Sequence, residues 1–281
     1  MGSSQIQHGT SSKISSILYK NPEKYKKLLE PYERALIKKY PDPYLKTFFG
    51  SIGNKIISIG PMYLCESLAK DLSASVTEKD LAALGLHMLA ISTHDDVVDE
   101  TPVDRIALGA LVYAGNIATN EGSKILIRQN KQKAADVLLE MINLNHLYQQ
   151  RVLESLWQKK PDSFKEYKKG IEHICIYTAI GLVYGLALID KLNYKKRIME
   201  FSYGYGIACQ LIDDLREQEE DRKNGYWSYP LVEGPPFSNS FAQLFKHLDQ
   251  ALEAIPTDWQ NLRTIVSNMR QFALNLKTSY E

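Results

Sequence analysis

Two acidic clusters, His94-Asp95-Asp96-Val97-Val98-Asp99-Glu100 and Gln210-Leu211-Ile212-Asp213-Asp214-Leu215-Arg216-Glu217, stand 118 positions apart (95 to 213), each set into an apolar helical run. On a helix, positions i, i+3 and i+4 share a face. Asp95, Asp96 and Asp99 are therefore expected to aim at one spot, and Asp213, Asp214 and Glu217 at another. Massed carboxylates repel, and their apolar flanks say that water alone does not solvate them. A fold that accepts both clusters must set something positive between them, and an all-oxygen donor set suits Mg²⁺ or a similar hard cation.

The rest of the chain is read as helical. Asn21-Pro22-Glu23 opens a charged amphipathic helix that runs to about Tyr40, where Pro41-Asp42-Pro43 stops it. A helix over about 54–72 follows. Thr77-Glu78-Lys79-Asp80 then caps a long apolar helix that leads into the first acidic cluster and stops near Pro102. Further helices are expected over 104–118, 131–158, 163–190, 193–222, 238–253 and 257–278, with a turn-rich loop around Ser228-Tyr229-Pro230 and Gly234-Pro235-Pro236. Strand signals are weak throughout. The organisation expected is a tail over 1–14 and a single all-α domain over 15–281, with about ten helices in all.

Apolar residues make up 44% and charged residues 24% of 281, with a net charge of +1. That balance gives no field favouring nucleic acid or an anionic membrane. Local basic groups such as Lys195-Lys196-Arg197 read as solvated helix faces. Cys65, Cys175 and Cys209 are scattered and lack metal-ligand spacing, which favours a reducing, cytoplasmic setting. The longest uncharged run, Ile174 to Ile189, falls short of the ~18–20 residues that span a bilayer, so a buried core helix is expected there and no transmembrane segment.

With these residues in view, the chain resembles the trans-isoprenyl diphosphate synthase (polyprenyl synthetase) superfamily, whose fold class I terpene synthases share. Leu86-His87, Ser92-x-x-Asp95-Asp96 and Val97-Val98-Asp99-Glu100 are similar to its first aspartate-rich motif. Gly204-x-Gly206-x-x-x-Gln210-x-x-Asp213-Asp214 is similar to its second, and the match spans roughly residues 50–232. The resemblance implies the isoprenoid synthase fold, a helical bundle around a central apolar cavity, and a homodimer. It also implies three Mg²⁺ ions holding the diphosphate of a prenyl substrate. Metal ligands would be Asp95, Asp96 and Asp99 on one side and Asp213, Asp214, Glu217 and Asp221 on the other. Asp95, Asp96, Asp99 and Asp213 carry the catalytic role, and Arg105, Gln210, Arg222 and Lys223 contact the substrate. Lys277 and Tyr280 are further candidates for the diphosphate.

The departures from the pattern matter as much. Asp104-Arg105 stands where the family has an Arg-Arg pair, and the basic N-terminal segment is reduced to Gly53-Asn54-Lys55. The Lys-Thr dipeptide is missing near His173-Ile174. In chain-elongating members these cations bind the diphosphate of isopentenyl diphosphate, and each lost charge-assisted contact removes about 1.5–3 kcal/mol. The expected function is therefore a Mg²⁺-dependent class I terpene synthase that ionises a C15 or C20 allylic diphosphate and releases pyrophosphate. Asp213, Glu217 and Asp221, at four-residue steps, favour that reading. The alternative is a trans-prenyltransferase using isopentenyl diphosphate or an unusual acceptor; a silent regulatory subunit ranks below both.

Overall fold

The structure is a computed structural model that describes residues 21–49, 56–99, 105–156 and 159–280; for 47, 56–58, 94–99, 105–108 and 151–155 it describes the backbone alone. Among the described residues there are thirteen α-helices and no strand, together with one 3₁₀ turn, Leu192–Tyr194. They group into two compact units.

The first unit comprises the described residues up to Glu66 together with Val76–Gln132. It contains α1 (Pro22–Lys39), α2 (Pro43–Phe49), most of α3 (Ile56–Asp71), α4 (Glu78–Asp99) and α5 (Arg105–Arg128). α4 lies along α5, with α1 against α4 and α2 against α5. The start of α4 follows from its cap: the Thr77 hydroxyl accepts from Asp80 N at 3.2 Å, and Asp80 Oδ2 accepts from Thr77 N at 2.9 Å. Buried Asp80 is neutralised by Lys131, whose Nζ reaches its two oxygens at 2.6 and 2.7 Å. Further along, fully buried His87 joins the two helices, with Nδ1 2.7 Å from Ala83 O and Nε2 3.1 Å from Ser123 Oγ. Burial lowers its pKa to about 4, so the ring is neutral and ties α4 to α5.

The second unit comprises Ser67–Ser75 and Lys133 onward. Its helices are α6 (Gln132–Ser155), α7 (Phe164–Gly170), α8 (Glu172–Leu188), α9 (Lys195–Arg216), α10 (Gln218–Asn224), α11 (Tyr229–Glu233), α12 (Ser238–Ala254) and α13 (Gln260–Thr278). α9 is the central element, packed on α8 and α12. Residues Cys175 to Ala187 of α8 are almost all buried, as expected of the uncharged run. Asp71, from the end of α3, supplies the cap that α13 lacks: its carboxylate accepts from Asn261 N at 2.8 Å and Leu262 N at 2.9 Å.

Several boundaries differ from expectation for local reasons. Pro43 and Pro230 open short helices, because proline's missing N–H costs nothing in a first turn; at Pro43, Asp42 Oδ1 adds the cap by accepting from Tyr44 N and Leu45 N at 3.0 and 3.1 Å. α5 runs on to Arg128. The helix expected over 163–190 is two helices, broken after Gly170 and bent by 49°. No single helix among the described residues is long and apolar enough to cross a membrane. The helix expected over 193–222 divides at Glu217.

Candidate functional site

The second acidic cluster depends on how closely α9 is held. A Cβ built on Gly204 would lie 2.6 Å from His247 O and 2.8 Å from Ala251 N; one on Gly206 would lie 2.9 Å from Cys175 Cα. The Gly-x-Gly pair therefore lets α12 and α8 touch the α9 backbone from two directions. That contact fixes the rotation of α9 and decides which carboxylates face inward.

Asp214 is one that does, at 2% exposure. Its Oδ2 accepts a short hydrogen bond from the Tyr167 hydroxyl, and its Oδ1 accepts from Gln210 Nε2 at 2.7 Å. Tyr167 comes from α7 and sits in an aromatic layer with Phe164 and Tyr229, ring centroids 5.7 and 5.8 Å away. Asp213, 100° further round the helix, keeps 52% of its side chain in contact with solvent. The expectation that Asp213, Asp214 and Glu217 share one focus thus meets a different geometry. Asp214 is an internal acceptor, and Gln210 is its partner rather than a group aimed outward.

Glu217 is not helical (φ −108°, ψ 18°). Glu217 N nonetheless donates to Asp213 O at 2.9 Å, and Asp221 N donates to Glu217 O at 2.9 Å. The four-residue rhythm survives in the hydrogen bonds while the helix itself breaks. Two side chains hold Leu215 O at the break: Gln218 Nε2 at 2.9 Å and, through a short bond, the Tyr280 hydroxyl. α10 ends at Gly225, whose φ of 77° suits the left-handed cap, with Tyr226 N bonded to Asp221 O at 2.9 Å.

These acids are short of positive charge. Partial desolvation pushes Asp213 upward, opposed by Arg216 and reinforced by Asp221, while the half of its side chain that still meets water limits the shift. Burial, then Asp213, pushes Glu217 up to about 7, again opposed by Arg216. Asp221 rises to about 6 from burial first, with Glu217 and Glu220 adding to it. Asp214 is held well above the usual carboxylate range by burial and then by Asp221. Arg216 stands beside these acids, with Nη1 3.7 Å from Asp213 Oδ1; that buried nitrogen has no hydrogen-bond partner. Asp221 Oδ2 is likewise buried without one, although Ser228 beside the carboxylate opposes the rise in its pKa. No three His, Cys, Asp or Glu side chains among the described residues converge closely enough to hold a metal ion. The donor chemistry still fits a hard divalent cation: carboxylate oxygens that repel one another and are held protonated more readily than usual.

The other predicted site residues are placed less fully. Asp95, Asp96 and Asp99 lie in the last turns of α4 and Arg105 opens α5, but their side chains are outside the described residues, as are Asp104 and Gly53 to Lys55 entirely. Arg222 and Lys223 are exposed in the last turn of α10. Tyr167, Arg216 and Gln218 were given no role by the sequence reading. Nothing local could have revealed Tyr167, since its bond to Asp214 spans 47 positions. A groove of about 730 Å³ in the second unit lies elsewhere, along the N-terminal half of α9 between Lys196 and Gly204.

No protein-family model matches the chain, and no curated protein does. Solved structures do. A geranyltranstransferase from Thermotoga maritima, at 16% identity, aligns over 91% of this chain and 100% of its own with a TM-score of 0.70. A polyprenyl synthase from Caulobacter crescentus, solved with calcium and isoprenyl diphosphate, shares 15% identity over 96% of this chain and 88% of its own, with a TM-score of 0.47. The first likeness shows the fold: the all-α isoprenoid synthase architecture that the two motifs implied.

Proposed function

We propose that this chain is a metal-dependent trans-prenyltransferase that ionises an allylic prenyl diphosphate and passes the prenyl group to an acceptor. One observation carries the reading: an undercompensated acid cluster, Asp213, Glu217 and Asp221, closes α9 in a chain that aligns over 91% of its length with a geranyltranstransferase. The likeness moves the reading from the cyclase, expected first, to the transferase expected second.

Asp213, Glu217 and Asp221 would each offer oxygens to the cations that accompany the diphosphate, and Asp95, Asp96 and Asp99 of the first motif are proposed as further ligands. When bound, Mg²⁺ or a similar cation neutralises the diphosphate and takes up the charge that develops as the allylic C–O bond breaks. Asp214, held by Tyr167 and Gln210, fixes the rotation of the residues around it. Arg216 lies beside Asp213 with a donor to spare and is suited to a departing phosphate oxygen.

The cyclase keeps two observations in its favour: the reduced basic set around Asp104-Arg105 and Gly53-Asn54-Lys55, and the four-residue spacing of Asp213, Glu217 and Asp221. Purified protein with Mg²⁺ and geranyl, farnesyl or geranylgeranyl diphosphate, with and without isopentenyl diphosphate, separates the two readings. Longer diphosphates formed only with isopentenyl diphosphate support the transferase. Hydrocarbon or prenyl alcohol formed without it supports the cyclase. No turnover, together with pyrophosphate binding that Asp213→Asn leaves unchanged, refutes both.

A further inference from the structure

The break at Glu217 decides where the second acidic cluster points, and it is braced by a residue 65 positions beyond Leu215. In a continuing helix Leu215 O would serve the N–H four residues on. Here it accepts from Gln218 Nε2 and from the Tyr280 hydroxyl, and Gln218 Nε2 also lies 3.4 Å from that hydroxyl. Two side-chain donors on one carbonyl stabilise the interrupted ladder at the step where Glu217 leaves helical geometry.

Tyr280 has a built seat. Its ring stands edge-on to Phe237 with centroids 5.0 Å apart, and tilted against Phe241 at 6.1 Å. Both phenylalanines are buried, and Phe241 belongs to α12, the helix that also presses on Gly204 of α9. The turn that ends α13, closed by Tyr280 N to Lys277 O at 2.9 Å, delivers the phenol to this seat. The hydroxyl that the sequence suggested for diphosphate contact is thus committed to the backbone beneath the acids.

We propose that Tyr280 is a positioning residue: its hydroxyl holds the α9–α10 break open, and through the break sets Asp213, Glu217 and Asp221 for binding a metal–diphosphate complex. The second half rests on the diphosphate reading of the cluster; the first half stands without it. The phenol touches no reacting atom and acts only through Leu215 O.

Tyr280→Phe keeps the aromatic seat and removes the donor. Hydrogen exchange of the amides over 217–222 in metal-free protein reads the brace, and calorimetry with Mn²⁺ and inorganic pyrophosphate reads the site. One hydrogen bond shifts an equilibrium by about two- to twelvefold, so exchange is expected to quicken, and pyrophosphate binding to weaken, by factors in that range. Far-UV circular dichroism should stay unchanged. Gln218→Leu, which removes the other donor, is expected to act in the same direction and guards against a variant that folds poorly. Unchanged exchange in Tyr280→Phe overturns the brace. Quickened exchange with pyrophosphate binding unchanged overturns the positioning role. Wild-type protein that takes up no Mn²⁺ and pyrophosphate refutes the diphosphate reading, and the positioning role with it, whatever the exchange shows.

Discussion

Tyr167→Phe isolates a hydrogen bond that joins α7 to the acidic cluster. The substitution leaves the ring in its layer with Phe164 and Tyr229, so little packing is lost. It removes the donor to Asp214 Oδ2, and at 2% exposure water cannot replace it. A buried acceptor left unsatisfied costs about 1–3 kcal/mol, and more when charged. Gln210 still serves the other oxygen, and Asp214 can relieve part of the strain by holding a proton, since the lost bond was one of the groups that lowered its pKa. The expected loss is therefore about 2 kcal/mol, or roughly 3–4 °C in the thermal midpoint for a chain of this size. Urea unfolding followed by circular dichroism measures it, with Tyr229→Phe as a control that trims a ring in the same layer. Gln210→Leu shares the carboxylate, so the double variant should be non-additive. A loss below about 0.5 kcal/mol in Tyr167→Phe, the level of ordinary surface substitutions, or one equal to that of Tyr229→Phe, would refute the reasoning.

Three further outcomes follow from the same geometry. Asp213→Asn with Glu217→Gln should stabilise metal-free protein at pH 7.5 while abolishing turnover. Glu217, raised to about 7 from the usual 4.5, and Asp213, shifted the same way but screened by water over half its side chain, let the folded wild type hold extra protons between about pH 4 and pH 7. Its stability relative to the variant falls as pH rises through that window, and urea unfolding should show the variant's advantage at pH 7.5 vanish near pH 4. Gly204→Ala drives a methyl against His247 O and Ala251 N, both backbone atoms; melting should show a loss of about 1–3 kcal/mol. Asp104→Arg restores a cation that the family pattern expects, and it should lower the KM for isopentenyl diphosphate about tenfold or more if this chain elongates prenyl diphosphates; an unchanged KM removes that residue from the acceptor site.

Much of the fold was legible because periodicity reports burial. The buried face of α8, the cap at Thr77 and the helix that carries the first cluster all follow from short-range pattern. The errors fell where a local signal has two meanings. Pro43 and Pro230 end one segment and open another, and a proline reads the same in either role. Glu217 sits in an unbroken run of helix formers, and its departure from the helix accompanies donors on Leu215 O, one of which comes from Tyr280.

Local pattern is enough to read the two acidic clusters, their four-residue rhythm and the Gly204-x-Gly206 pair. Those suffice for a helical fold with an oxygen-rich site, because side-chain chemistry and helical pitch are properties of neighbouring residues. Long-range packing is what turns Asp214 inward while Asp213 meets solvent, brings Tyr167 and Tyr280 to this segment, and accompanies the break at Glu217. Helix rotation is set by what packs against the helix: a 100° step between adjacent residues separates a buried acceptor from an exposed carboxylate, and the contacts that choose between them come from α7, α8, α12 and the segment after α13.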